Sequence, residues 1–268
     1  MSSTSEVGIA KNVAHLSTLI TYCVSYGSNY NPSNAAIKLP GLNAVLSNAQ
    51  TALTNAISSR TARAGAFNAR MVAFKDIKKL STRLLAALNG AGATTQQINN
   101  AKSIDRKIKG RRAKSIPHSA PAPASGTPTA SQTEKATLPP PSTLPITPVT
   151  PPHPISVSQV SYDNLIQHMA EFIALLASIP SYNPNETDLK IASLNTYLAN
   201  LNATNNAAIV AQTTLNNSLI ARNKILYAYI TGLCAIGEES KDYIKSVYGS
   251  TAAEYKQVRK LSFTKHRI

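Results

Sequence analysis

Five histidines, two cysteines and twelve acidic residues are the chain's whole supply of groups for acid–base, nucleophilic or metal chemistry. His118 and His153 fall in a proline-rich tract and His266 stands two residues from the last position, which leaves His15 and His168. Neither has a second histidine, a cysteine or a carboxylate at the spacing a metal ion requires, so no metal and no cofactor is expected. Cys23 continues an apolar helical stripe and Cys234 lies inside a long helical segment. With no basic neighbour to favour the thiolate, both read as small core residues. Glu238, Glu239 and Asp242 form the one acidic cluster, interleaved with Lys241 and Lys245 at helical pairing distances. A solvated helix face with internal ion pairs accounts for them. The chain contains no Glu-x-x-His, no phosphate-cradling glycine loop and no Gly-x-Ser-x-Gly, and it is not expected to be an enzyme.

Basic residues offer more. The chain carries 27 Lys+Arg against 12 Asp+Glu, a formal charge of +15. Residues 1–114 hold 16 basic and 3 acidic residues, whereas 159–268 hold 10 and 8. The densest run is Lys102, Arg106, Lys107, Lys109, Arg111, Arg112 and Lys114, a candidate polyanion-binding segment. The competing explanation is solubility, because a helical protein poor in carboxylates relies on its lysines and arginines to stay dispersed. Base stacking would also need exposed aromatic rings, and residues 60–114 offer only Phe67 and Phe74, both on an apolar stripe.

These residues must be positioned by helices. Twelve of the sixteen prolines fall between Pro117 and Pro154, where missing amide hydrogens and a fixed φ forbid a helix interior, so residues 115–158 read as a Pro-rich linker. On either side the chain repeats itself. Tyr30-Asn-Pro-Ser matches Tyr182-Asn-Pro-Asn 152 residues later, and the same offset pairs Leu42-Asn43 with Leu194-Asn195 and Ala69-Arg70 with Ala221-Arg222. Aligning Gly90 with Gly249 needs 159, so about seven residues were gained or lost near the last long helix.

Val13, Leu16, Ile20 and Val24 recur at helical spacing, as do Leu165, Met169, Phe172, Ile173 and Leu176. Asn183 as cap, Pro184 at the first position and Glu186 predict the start of a second helix. An unbroken helix from Leu42 to Leu88 would be roughly 70 Å long and could not bury its stripe in a small domain. Hairpins are therefore expected at Ser58 to Arg60 and at Gln212 to Thr214. The third helices run through Phe67, Phe74, Ile77, Leu80, Leu84 and Leu88, and through Leu215, Leu219, Leu226, Ile230, Leu233, Ile244 and Val247; short fourth segments follow at Thr95–Ile108 and Ala252–Leu261. The resulting expectation is an all-α protein: two tandem homologous three-helix up-down-up bundles, 1–114 and 159–268, each with a short extra C-terminal helix and its own core; the alternative, which the sequence does not separate from it, is a single six-helix body in which the copies pack face to face.

The duplicated Tyr-Asn-Pro segments, the two Ala-Arg pairs, Tyr255-Lys-Gln-Val and Leu261-Ser-Phe-Thr-Lys resemble a family of uncharacterised bacterial proteins. The resemblance implies a duplicated helical chain with a variable linker, and it implies no catalytic residue. No run of eighteen apolar residues and no secretory leader is visible, so a cytoplasmic protein without a membrane span is expected. The expected function is a non-enzymatic helical scaffold or protein-interaction protein that engages a partner or copies of itself; the alternative is nonspecific binding of nucleic acid or another polyanion through the basic first repeat.

Overall fold

The computed structural model describes residues 4–111 and 160–264. They are helical, with no strand among the described residues. The linker and the basic residues Arg112 and Lys114 lie outside them. The helices are α1 (Thr4–Ser25), α2 (Leu39–Phe74), α3 (Ile77–Gly90), α4 (Thr95–Lys109), α5 (Tyr162–Ala177), α6 (Ile191–Tyr227), α7 (Leu233–Tyr248) and α8 (Ala253–Arg259). Single 3₁₀ turns, Ala35–Ile37 and Thr187–Leu189, precede α2 and α6 at the 152-residue offset seen in the sequence.

The expected hairpins do not form. Helix α2 runs unbroken through Ser58-Ser59-Arg60, and α6 runs unbroken through Gln212-Thr213-Thr214. Small polar residues lower helix propensity by only tenths of a kcal/mol each, and even Gly65 costs about 1 kcal/mol, so nothing in either segment stops propagation. Hydroxyl groups that could compete with the backbone are absorbed within the helix, as when Thr61 and Thr213 donate to the carbonyls of Ile57 and Ile209. The chain breaks instead at residues 75–76 and 228–232. Nor does Asn183 cap α6. Helix α6 begins only at Ile191, after the Thr187–Leu189 turn, and in the first half the cap of the corresponding 3₁₀ turn is Asn34, whose side chain accepts the Ala36 amide.

Unbroken α2 and α6 change which helices share a core. The chain divides into two compact units, one of Met1–Asp76 with Asn195–Ile268, the other of Ile77–Leu194. The boundaries expected at 114 and 159, and the paired up-down-up bundles they implied, are replaced by units that each draw on both sequence halves. In the first unit α1 packs on α2 and α7, and α7 on α8. Its core joins Ile9, Leu16, Leu19, Cys23 and Leu42 to Leu226, Leu233, Cys234, Ile236, Ile244 and Val258. Polar contacts link α2 to α6: Arg63 to Gln212, Arg70 Nη1 to Asn205 Oδ1 at 3.1 Å, and Tyr197 Oη to the Ala73 carbonyl at 3.1 Å. In the second unit α4 lies against both α3 and α5. There Ile77, Leu84, Leu88, Ile108, Met169, Phe172 and Leu176 are buried. Helix α4 is fixed at both ends, by a Thr94/Gln97 capping box and by Gly110 at φ 69°, a left-handed stop that favours glycine.

Candidate functional site

The groups singled out for chemistry are mostly part of the packing. Cys23 and Cys234 are buried free thiols. Burial pushes the Cys23 thiol up to about 11, the opposite of what a nucleophile needs. Buried His168 has Nδ1 3.5 Å from Glu171. His15 Nδ1 lies 2.8 Å from the Ser262 carbonyl oxygen, a contact that places the proton on Nδ1. No group of three or more His, Cys, Asp or Glu able to hold a metal ion occurs among the described residues. The acidic cluster is paired as expected at Lys241–Glu238, 2.8 Å, but it is less solvated than its composition suggests. Lys241 is buried and donates also to the Leu261 carbonyl at 3.0 Å.

That burial comes from the segment after α8, which the sequence showed only as a motif. Residues 261–264 run extended over α1 and α7. Asn12, 1% exposed, donates through Nδ2 to the Thr264 carbonyl at 2.9 Å and accepts the Thr264 amide on Oδ1 at 3.0 Å. The pair satisfies the tail backbone as a neighbouring strand would. The Phe263 ring stands where a Cβ on Gly237 would fall, 2.5 Å from its nearest atom. A polar residue inside an otherwise apolar helical stripe was the available signal, and Asn12 in α1 is one.

Of the candidate polyanion residues, Lys102, Arg106, Lys107, Lys109 and Arg111 are described. The first three and Arg111 are exposed. Lys107 reaches Glu171 on α5 at 3.4 Å and Lys109 reaches Asp105 at 2.7 Å. Arg106, Lys107 and Lys109 also occupy the last turn of α4, where the carbonyl end of the helix favours cations. Part of the run therefore has a structural role.

The Tyr-Asn-Pro motifs have one too. Tyr30 Oη donates to the Ile37 carbonyl at 2.6 Å and Tyr182 Oη to the Leu189 carbonyl at 2.9 Å, so each phenol ties down the 3₁₀ turn leading into its long helix. Tyr30→Phe or Tyr182→Phe leaves that carbonyl without its donor and should cost about 1–2 kcal/mol, read as a lower urea midpoint at unchanged slope. Burial raises Tyr30 above the usual phenol range and pushes Tyr182 and Tyr197 up to about 12. Acids that are harder to ionise when folded release more protons on unfolding, so stability falls as pH rises. The melting temperature should begin to drop near pH 9, where the Cys23 thiol would ionise in the unfolded chain, and keep falling through pH 12.

Beside Tyr182 the second unit opens into a groove of about 520 Å3, lined on one side by Arg83, Ala86, Ala87 and Gly90 of α3 and on the other by Tyr182 and Asn183. Arg83 spans both carboxylate oxygens of Asp188, the second contact at 3.2 Å, and holds that carboxyl below its usual range. Tyr182, the small residues Ala86 and Ala87, the Arg83 guanidinium and the Glu186 carboxylate all line it, so aromatic, apolar and charged groups share one groove. Sequence reasoning missed it because three small helical residues are unremarkable until the opposing loop is known.

The first unit carries a different surface. Ile57, Met71 and Val72 on α2 and Ile209, Val210 and Ile220 on α6 are between 49% and 69% exposed. Neither helix contains an acidic residue. No helix is long and apolar enough to cross a membrane among the described residues. No protein-family model matches the chain, and no curated protein and no solved structure matches it. The class defined by fold and surfaces is an all-helical protein with two compact units.

Proposed function

We propose that this protein is a non-enzymatic helical scaffold, arising from a duplicated helical module, that engages a partner protein or a second copy of itself along α2 and α6. The observation that carries the reading is the set of six large apolar side chains left in solvent on those two helices. Exposed apolar residues are ordinary when scattered, but several on two acid-free helices suit a protein interface better than a purely solvated surface. Replacing Ile57, Val72, Val210 and Ile220 together by Ser tests it. The melting temperature should hold, because exposed substitutions cost little, while capture of a native partner, or of a second copy held by these two helices, should be lost and should be insensitive to salt before the change. Capture that survives the four substitutions would contradict the reading.

Polyanion binding is the second reading, favoured by the exposure of Lys102, Arg106 and Arg111 at the end of α4. It predicts heparin retention that weakens steeply with salt and disappears when Arg106, Lys107, Arg111 and Arg112 become Ala. The scaffold reading predicts that wild type and variant both elute below physiological ionic strength, about 0.15 M.

A further inference from the structure

The groove beside Tyr182 has a filled counterpart in the first unit. Helices α3 and α7 enter at Ile77 and Leu233, and their buried residues keep the same spacing: Ile77, Ser81, Leu84 and Leu88 against Leu233, Gly237, Ser240 and Ile244. In that register Ala87 corresponds to Tyr243. The loops correspond as well, since Tyr30 and Tyr182 make the same hydrogen bond seven residues on. Tyr243 stands edge-on to Tyr30, with ring centroids 5.4 Å apart and planes at 85°, and its hydroxyl accepts the Asn31 amide at 3.3 Å. In the second unit the short Ala87 leaves that place to the groove, with Tyr182 as the aromatic wall and Asn183 in the position of Asn31. The place that the Tyr243 ring fills in the first unit is thus open groove in the second.

The chain also presents such a ring. The connection between α6 and α7, residues 228–232, is longer than the two-residue connection between α2 and α3, and it carries Tyr229, 88% exposed, next to Ile230, 70% exposed. Tyr229 is the most exposed large apolar or aromatic side chain among the described residues. Ile230, which by periodicity belonged to a buried stripe, stands beside it in solvent.

We propose that Tyr229 of one copy inserts into the groove beside Tyr182 of a second copy, edge-on to that ring and accepting the Asn183 amide, as Tyr243 does with Tyr30 and Asn31 within the chain. Knob and groove are different surfaces, so each copy offers one of each, and the contact joins the first unit of one copy to the second unit of another. Offset and edge-to-face aromatic contacts in a partly desolvated pocket are typical anchors of such interfaces. The contact uses none of the apolar residues on α2 and α6, so it stands or falls separately from the scaffold surface proposed above.

Sedimentation velocity of the full chain over a concentration series tests it. Wild type should rise above the 28.5 kDa of one chain. Tyr229→Ala, and Ala87→Tyr or Ala87→Leu to fill the groove, should each weaken association at least about tenfold with unchanged helical circular dichroism. An equimolar mixture of Tyr229→Ala with an Ala87 variant should regain a heterodimer, because the open groove of one meets the knob of the other. Added p-cresol should compete. Wild type that stays monomeric, Tyr229→Ala that associates like wild type, a mixture that does not pair, or p-cresol that binds the groove without changing the mass would each overturn the proposal.

Discussion

Residues 1–114 and 159–268, expressed apart, should each fail to unfold cooperatively, and mixed together they should regain a single sigmoidal melt. The reason lies in the core of the first unit. Leu226, Leu233, Cys234, Ile236, Ile244, Val258 and Phe263 come from the second half, and they close over Leu16, Leu19, Cys23 and Leu42 from the first. Exposing a buried apolar side chain costs roughly 1.5–3 kcal/mol. Losing seven of them outweighs the roughly 5–15 kcal/mol by which a domain of ordinary stability stays folded. The second unit is divided in the same way, with α3 and α4 from the first half and α5 from the second. Equilibrium urea unfolding of each fragment and of the mixture is the measurement. A fragment that melts on its own with the slope expected for its length would show that each half carries a complete core.

Ser58→Pro should destabilise the protein by about 3 kcal/mol or more. A proline there removes an amide donor from the middle of α2 and sets its ring against the carbonyl one turn back. Thr213→Pro should act alike in α6. Both sites are exposed, so lost packing would contribute little and the effect would report helix continuity. At a hairpin, where proline is at home in the first turn position, the same changes would be nearly neutral. The urea midpoint distinguishes the two cases.

The helices themselves were legible because their stripes are regular. Val13, Leu16, Ile20 and Cys23 and their counterparts Leu165, Met169, Phe172, Ile173 and Leu176 are buried as periodicity requires, whereas Val24 and Val247, placed on the same stripes by spacing, are 57% and 43% exposed. The short fourth segments appeared as α4 and α8, the second shorter than expected. What could not be read was which stripe faces which. On the reading that the halves are copies of one module, their faces would be nearly equivalent, and a helix from one half could complete the core of either. Helix length decides between them. A hairpin at Ser58 would have returned the chain to α1 within the first half. A continuous 36-residue α2 is about 54 Å long and does not turn back within the first half. Propensity favours that continuous helix, and α1 and α7 cover part of its apolar stripe.

The basic run was legible as charge but not as pairing, since Glu171, 64 residues from Lys107, is its neighbour only in the fold. The Tyr-Asn-Pro motif was visible as a repeat, while its hydrogen bond to a carbonyl seven residues on needed coordinates. The groove was hidden for a related reason: Ala87 is informative only beside Tyr243, and the two align only after the longer connection at 228–232 is taken into account.

Aromatic nuclear Overhauser spectroscopy on the intact chain tests the shared cores most directly. Magnetisation should pass between the ring protons of Tyr30 and Tyr243, whose centroids are 5.4 Å apart, and between the Asn12 side-chain amide and the Thr264 backbone amide. Both pairs span the two halves. Spectra that lack these cross-peaks and instead connect Tyr30 to residues of α3 would place each core within its own half and contradict the account.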